Sequence, residues 1–141
     1  MGEILISKSA STEWQAHSEE RVLSGANPNL RWCFLFDASK HQNEDLSMGC
    51  LRVPVGESLP LHYHEEQEIY YILQGKGEVL MSGTDTKSVT QGDSVYIPKS
   101  TPHGMKNIGE TDFMFLWIFP TDSWHDVEYN YITPAPEDFS K

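Results

Sequence analysis

The chain has 141 residues, of which 38% are hydrophobic and 11% aromatic, and its formal net charge at pH 7 is −11. This length is typical of one domain and supplies enough apolar residues for one core. The excess of acidic residues would repel phosphate backbones and anionic lipids, so we expect neither nucleic acid nor membrane partners. The sequence holds no apolar run long enough for a transmembrane helix.

The first thirty residues are polar and irregular, and they lack the basic start and long apolar run of a secretory signal. We expect this N-terminal extension to be loop, with at most one short helical turn near residues 12–19. The apolar run at residues 4–6 is a candidate edge strand against a second copy, so we expect a homodimer. Cys33 and Cys50 form no CxxC pair, and we expect both to be reduced and buried in a cytoplasmic protein.

From residue 31 the chain becomes a series of short β-rich runs separated by turn residues. In order they are RWCFLFD, SMGCLRVPV, EIYYIL, GEVLMS, SVYIP, HGMKNI, FMFLWIF and VEYNYI. Short strands at this spacing, with little helical signal between them, predict an all-β sandwich or barrel. We therefore divide the chain into the extension (1–30), one barrel (31–132) and a Pro-rich tail (133–141). The run FMFLWIF is apolar at every position, which predicts a strand that is buried on both faces, or buried inside and covered by a partner subunit outside.

Three histidines and one glutamate form the main chemical signal. His62 and His64 lie two residues apart, so on a strand both imidazoles point to the same face. Glu68 follows after a short bend, and His103 begins another predicted strand. Three imidazoles and one carboxylate suit one divalent transition metal (Fe, Mn, Ni, Co or Zn) and do not suit Ca or Mg.

The residues around these ligands resemble the two sequence motifs of the cupin family. The first motif is matched at Gly56, His62, His64, Glu68 and Gly75. The second is matched at Gly92, Pro98, His103 and Asn107, with Ser100 where the family usually has glycine. The resemblance implies a single-domain jelly-roll barrel with one metal held by His62, His64, Glu68 and His103.

Strand alternation places Tyr70 on the same face as Glu68, inside the barrel, with Ile69 and Tyr71 outside. A phenol beside a metal has a lowered pKa and can act as a base, although simple packing explains Tyr70 equally well. Trp32 and Tyr63 are further candidates for lining a cavity.

At a finer level the chain resembles the small cupin-type dimethylsulfoniopropionate lyases. The likeness lies in Arg31-Trp32, LHYH (61–64), EIY (68–70), WIFPTD (117–122) and VEY (127–129). It implies a β-elimination in which the substrate carboxylate binds the metal and a tyrosine removes the neighbouring proton. Dimethyl sulfide and acrylate are then the products. Carried over by position, Tyr70 is the candidate base and Tyr129 the second tyrosine, for positioning or proton transfer.

Other functions remain open at this stage. A different metal-dependent cupin enzyme is one alternative, either an oxygen-consuming dioxygenase or a sugar or uronate isomerase. A sugar site would need several Arg, Lys, Asn or Gln side chains, and the strands near the motifs offer few: Arg52, Gln74 and Lys106. A non-catalytic cupin that binds a small ligand is the other alternative. The partner that we expect is a small zwitterionic or carboxylate substrate.

Overall fold

The computed structural model describes residues 2–132 and shows two five-stranded antiparallel sheets packed face to face. The strands within this range are β1 (Arg31–Phe36), β2 (Ser47–Val53), β3 (Ser58–Tyr63), β4 (Glu68–Gln74), β5 (Lys76–Leu80), β6 (Thr86–Thr90), β7 (Ser94–Ile97), β8 (His103–Asn107), β9 (Phe113–Phe119) and β10 (Asn130–Tyr131). One sheet has the order β1-β2-β9-β4-β7 and the other β10-β3-β8-β5-β6. The predicted all-β jelly-roll fold is confirmed. The predicted tail, 133–141, lies outside the described residues.

The core lies between the two sheets and follows the period of two expected for strands. On β4, Tyr70 is buried while Ile69 and Tyr71 are 42% and 41% exposed, as strand alternation predicted. On β9, the aromatic residues at positions 113, 115, 117 and 119 are buried. The residues between them are half-buried, so the single chain covers only the inner face fully, and cover of the outer face by a partner subunit stays a prediction.

The turn before His103 has Ser100 at the position where the cupin motif usually has glycine. Ser100 has a φ of +56°, in the left-handed region that glycine favours. Its backbone N–H donates a hydrogen bond to the carbonyl of His64 at 2.9 Å. This bond joins the two histidine-bearing segments.

The N-terminal extension differs from the prediction in detail. Its helix, α1, spans Glu19–Leu23 rather than 12–19, because the Ser18 side chain caps it by accepting a hydrogen bond from the N–H of Arg21. Upstream, Gln15 pairs with Trp32 through two backbone hydrogen bonds, which ties the extension to the edge of β1. The run at 4–6 forms no strand in the single chain, and the homodimer stays a prediction.

Both cysteines are free and buried, as predicted. They lie directly opposite each other on β1 and β2, with Cys33 paired to Cys50 in the strand register. No helix within residues 2–132 combines the length and hydrophobicity of a membrane span.

Candidate metal centre

Three histidines converge at one end of the second sheet. His62 lies near the end of β3 and is paired in register with His103, the first residue of β8. His64 follows just after β3, on the same face as His62. One ring nitrogen from each histidine lies within 4.8 Å of the others, and all three side chains are buried. The three predicted histidines therefore form one cluster that suits a metal ion.

Hydrogen bonds fix how each imidazole ring is turned. In all three histidines Nδ1 lies beside a backbone carbonyl two residues away, at 2.7 Å for His62, 2.9 Å for His64 and 2.8 Å for His103. Because a carbonyl only accepts, each Nδ1 carries a hydrogen, and Nε2 is the ring nitrogen left for a metal. The Nε2 atom of His62 is buried with no hydrogen-bond partner among the described residues, and that of His103 has only the Glu68 carboxylate beside it. Carbonyl-oriented imidazoles of this kind are typical of metal-ligating histidines.

Glu68, the first residue of β4, brings a carboxylate to the cluster. Its Oε1 atom lies 3.2 Å from Nε2 of His64 and 3.3 Å from Nε2 of His103. Burial raises the pKa of Glu68, but the two histidines outweigh it and hold the pKa below its usual 4.5. The donor set of three imidazoles and one carboxylate fits a divalent transition metal, although Glu68 as a ligand stays a prediction.

The electrostatics of the three histidines differ. Burial and the neighbouring His103 lower the pKa of His62 to about 3. Burial acts in the same direction on His64, but the carboxylate of Glu68 outweighs it and raises the pKa of His64 above 6.5. Metal binding at His62 therefore needs no loss of a proton near neutral pH, whereas at His64 a metal competes with the proton that Glu68 favours there.

The two predicted tyrosines lie beside the histidines. The ring of Tyr70 is buried, with its centroid 6.1 Å from that of His103. The ring of Tyr129 stacks on His62, with centroids 4.8 Å apart and 13° between the planes. Burial, followed by the charge of Glu68, raises the pKa of both phenols well above 10. We expected a metal to lower the pKa of Tyr70, whereas the protein groups around Tyr70 raise it.

A buried aspartate that the sequence analysis missed positions Tyr129 indirectly. The carboxylate of Asp37 accepts hydrogen bonds from the N–H of Trp124 at 2.8 Å and from the hydroxyl of Ser123 at 2.7 Å. These bonds anchor the 3₁₀ turn Trp124–Asp126. The indole N–H of Trp124 in turn donates to the Tyr129 hydroxyl at 3.1 Å. A single Asp after a strand gives no sequence signal for this role.

A narrow cavity adjoins the cluster. Its volume is about 30 Å³. Seven of its twelve lining residues are Phe, Trp or Tyr, three are leucines, and the other two are His17 and Glu68. The lining includes Trp32, as predicted, but not Tyr63, which is 41% exposed. Among the described residues no Arg or Lys lines this cavity.

Residues 49–119, half of the chain, match the family described as Cupin domain. The chain belongs to the cupin family. It is similar to the dimethylsulfoniopropionate lyase DddQ of Ruegeria pomeroyi, with 30% identity over 91 residues, 64% of this chain and 45% of that protein. The crystal structure of DddQ superposes with a TM-score of 0.64 at 25% identity, covering 78% of this chain and 56% of that one.

Other relatives carry different activities. The glucose-6-phosphate isomerase of Pyrococcus furiosus is 39% identical over 87 residues, 57% of this cupin and 44% of that enzyme. The polyketide cyclase RemF of Streptomyces resistomycificus superposes with a TM-score of 0.72 at 20% identity, covering 99% and 93% of the two chains, which shows a shared fold. The chain spans less than half the length of DddQ and of the isomerase. The cupin relatives thus include enzymes, and the site must indicate which chemistry applies.

Proposed function

We propose that this cupin is a metal-dependent lyase that cleaves dimethylsulfoniopropionate to dimethyl sulfide and acrylate. The observation that carries the proposal is the aromatic cavity, whose described lining includes Glu68, the buried Tyr70 and the partly buried Tyr129 but no Arg or Lys. The similarity to DddQ supports the same reaction class.

A divalent metal held by His62, His64, His103 and Glu68 would act as a Lewis acid that makes the proton next to a substrate carboxylate more acidic. The phenol oxygen of Tyr70 or Tyr129 takes that proton from the α-carbon. The electron pair of the broken C–H bond forms the double bond of acrylate, and the C–S bond breaks with its electron pair on sulfur. Dimethyl sulfide leaves as a neutral molecule.

The raised pKa values of the two phenols make this proton transfer harder. A base must be in its phenolate form to accept the proton, and burial near Glu68 disfavours that form. A positive charge at the histidine cluster would oppose both shifts. We therefore infer that turnover depends on metal and increases with pH across the neutral range.

The cavity wall suits a sulfonium group. Aromatic faces attract a cation through the ring quadrupole, and seven of the twelve lining residues are aromatic, including Trp32 and Trp124. The Trp124 ring already has the guanidinium of Arg21 over it, 4.5 Å from its centroid, and the ring of His17 packs on Trp32. These rings lie beside Tyr129, whose centroid is 5.9 Å from that of Trp124. A cationic substrate also avoids any conflict with the acidic chain.

The main rival is the sugar isomerase activity of the Pyrococcus furiosus relative. A sugar phosphate would need cationic or amide groups for its phosphate and hydroxyls. The described cavity lining contains no Arg, Lys, Asn or Gln side chain for these groups. The lining therefore favours a substrate with an apolar or cationic end over a sugar phosphate.

The test is headspace dimethyl sulfide from purified protein supplied with dimethylsulfoniopropionate, with Mn, Fe, Ni, Zn and a chelator in parallel. Release that requires metal and stops with chelator supports the lyase. Oxygen uptake is measured in the same samples, because a dioxygenase would consume oxygen and a lyase would not. No release from folded, metal-loaded protein with any of the metals would contradict the proposal.

A further inference from the structure

Two tryptophans of the cavity have buried N–H groups that donate to nothing. Nε1 of Trp32 and Nε1 of Trp117 are shielded from solvent, and neither has a hydrogen-bond partner within residues 2–132. Both side chains line the cavity that contains Glu68. The third tryptophan of this cavity, Trp124, donates to Tyr129 and serves as an internal comparison.

Buried donors in folded proteins are almost always paired. An indole N–H can donate but never accept, so its partner must bring a lone pair. Among the described residues none does so for Trp32 or Trp117, and the acceptor must come from what enters the cavity. Because both residues line the same cavity, a ligand with more than one acceptor oxygen suits the two donors.

Both rings are held in place without using their N–H groups. The backbone of Trp32 is paired to Gln15, and the ring of His17 packs on its indole with centroids 4.5 Å apart. The indole of Trp117 lies over Gly49, where no side chain competes for the space, with Phe34 at its edge. Donors fixed in this way need no reorganisation when a ligand binds.

The remaining polar groups of the cavity indicate what kind of acceptor fits. Burial, with help from Arg21 and Arg31, lowers the pKa of His17 to about 4, so its ring is neutral near pH 7. Its Nδ1 atom is also buried without a partner in the described chain. The wall thus offers neutral donors rather than a fixed positive charge, which suits a single small anionic group whose charge the metal centre balances.

We propose that the indole N–H groups of Trp32 and Trp117 recognise the carboxylate of the substrate. This rests on the proposed function for the location of the substrate, and it adds the groups that select a carboxylate. A carboxylate has two oxygens with about four lone-pair sites. Donation from the indoles is therefore compatible with a carboxylate that also contacts the metal centre.

The experiment uses full-length protein loaded with diamagnetic Zn²⁺ and propionate as the carboxylate probe. The chain has four tryptophans, so its ¹H–¹⁵N spectrum contains four indole signals, assigned with the single Trp→Phe variants. We expect propionate to shift the signals of Trp32 and Trp117 downfield and to leave that of Trp14 unmoved. Trp14 packs against Arg52 and does not line the cavity, which makes Trp14→Phe the matched control.

Calorimetry supplies the second measurement. Trp32→Phe and Trp117→Phe should each raise the Kd of propionate about tenfold, the usual effect of losing a hydrogen bond to a charged group. Uncharged propionamide should bind at least tenfold more weakly than propionate. If a Phe variant does not fold, the wild-type spectrum alone tests the inference, because propionate must shift the indole signals of Trp32 and Trp117.

The outcomes separate this inference from the lyase proposal. Indole shifts with propionate but no dimethyl sulfide release would remove the lyase and keep the carboxylate site. Release of dimethyl sulfide with unmoved Trp32 and Trp117 signals would overturn the inference alone, with water as the acceptor. Propionate that fails to bind, or binds no better than propionamide, would also overturn it.

Discussion

Gly49 and Trp117 lie opposite each other on β2 and β9, and the indole ring occupies the space in which a side chain at position 49 would stand. A Cβ atom there would overlap the ring itself. The position of the Trp117 indole in the cavity therefore depends on a glycine in the neighbouring strand.

We expect Gly49→Ala to displace that indole and to lower the free energy of unfolding by about 1–3 kcal/mol, the usual cost of overpacking a core. Urea denaturation measures the change. Gly109→Ala is the control, because its Cβ would meet its nearest atoms at an ordinary 3.5 Å. Equal stability of the two variants would contradict the packing argument.

His103→Ala tests the metal centre directly. The variant removes one of three Nε2 donors, and loss of even an outer partner of a metal ligand lowers affinity about 10–100-fold. We expect elemental analysis to find most of the bound metal gone. His125→Ala, which removes an exposed histidine outside the cluster, should keep the wild-type metal content. Unchanged metal in His103→Ala would exclude this cluster as the site.

Tyr70→Phe separates chemistry from metal binding. If Tyr70 is the base, the variant keeps its fold and metal but loses about 10²–10⁴-fold in turnover, the usual contribution of a general base. Tyr71→Phe, one residue along the strand and 41% exposed, should retain full turnover. A nearly normal rate of dimethyl sulfide release from Tyr70→Phe would remove Tyr70 from the mechanism, and Tyr129→Phe would then be the variant to measure.

The parts of the site that the sequence predicted are those set by local spacing. His62 and His64 share a face because strands alternate with a period of two, and the same rule placed Glu68 and Tyr70 inside the barrel. The family motifs then brought in His103, which no local rule could connect to His62.

The parts that were missed depend on contacts between distant segments. Asp37 meets Trp124 across 87 positions of the chain, and the ring of His17 packs on Trp32 only because the extension folds back along β1. Neither contact has a periodic pattern or a motif in the sequence. The unsatisfied indole N–H groups were equally invisible, since a missing partner can be identified only when all neighbours are known.

Asp37→Asn should weaken the anchor of the Trp124 turn. The substitution replaces a carboxylate that is 1% exposed and accepts several hydrogen bonds with an amide that has only one acceptor oxygen. We expect a loss of about 2–4 kcal/mol in the free energy of unfolding, measured with urea. Asp85→Asn, at an exposed turn, should change it by no more than about 0.5 kcal/mol. Equal effects in the two variants would show that Asp37 anchors nothing.

The lowered pKa of His17 leads us to expect that the protein loses stability in mild acid. Burial, Arg21 and Arg31 lower its pKa from 6.5 to about 4 in the folded chain, so between these values the unfolded chain binds more protons. The stabilising contribution is therefore complete above pH 6.5 and declines as the pH falls to about 4. Because the ring is only partly buried, we expect a change of about 1–2 kcal/mol rather than the full value of the shift.

Urea unfolding of the wild type and of His17→Gln at pH 7 and pH 4.5 measures this contribution. The buried His62, with a folded pKa of about 3, also lowers the stability of the metal-free protein in acid. This loss is the same in the wild type and in His17→Gln, so it cancels when the two are compared. We expect the stability of His17→Gln to fall less between the two pH values than that of the wild type. The exposed control His125→Gln should follow the wild type. If His17→Gln also follows the wild type, the acid sensitivity belongs to other groups.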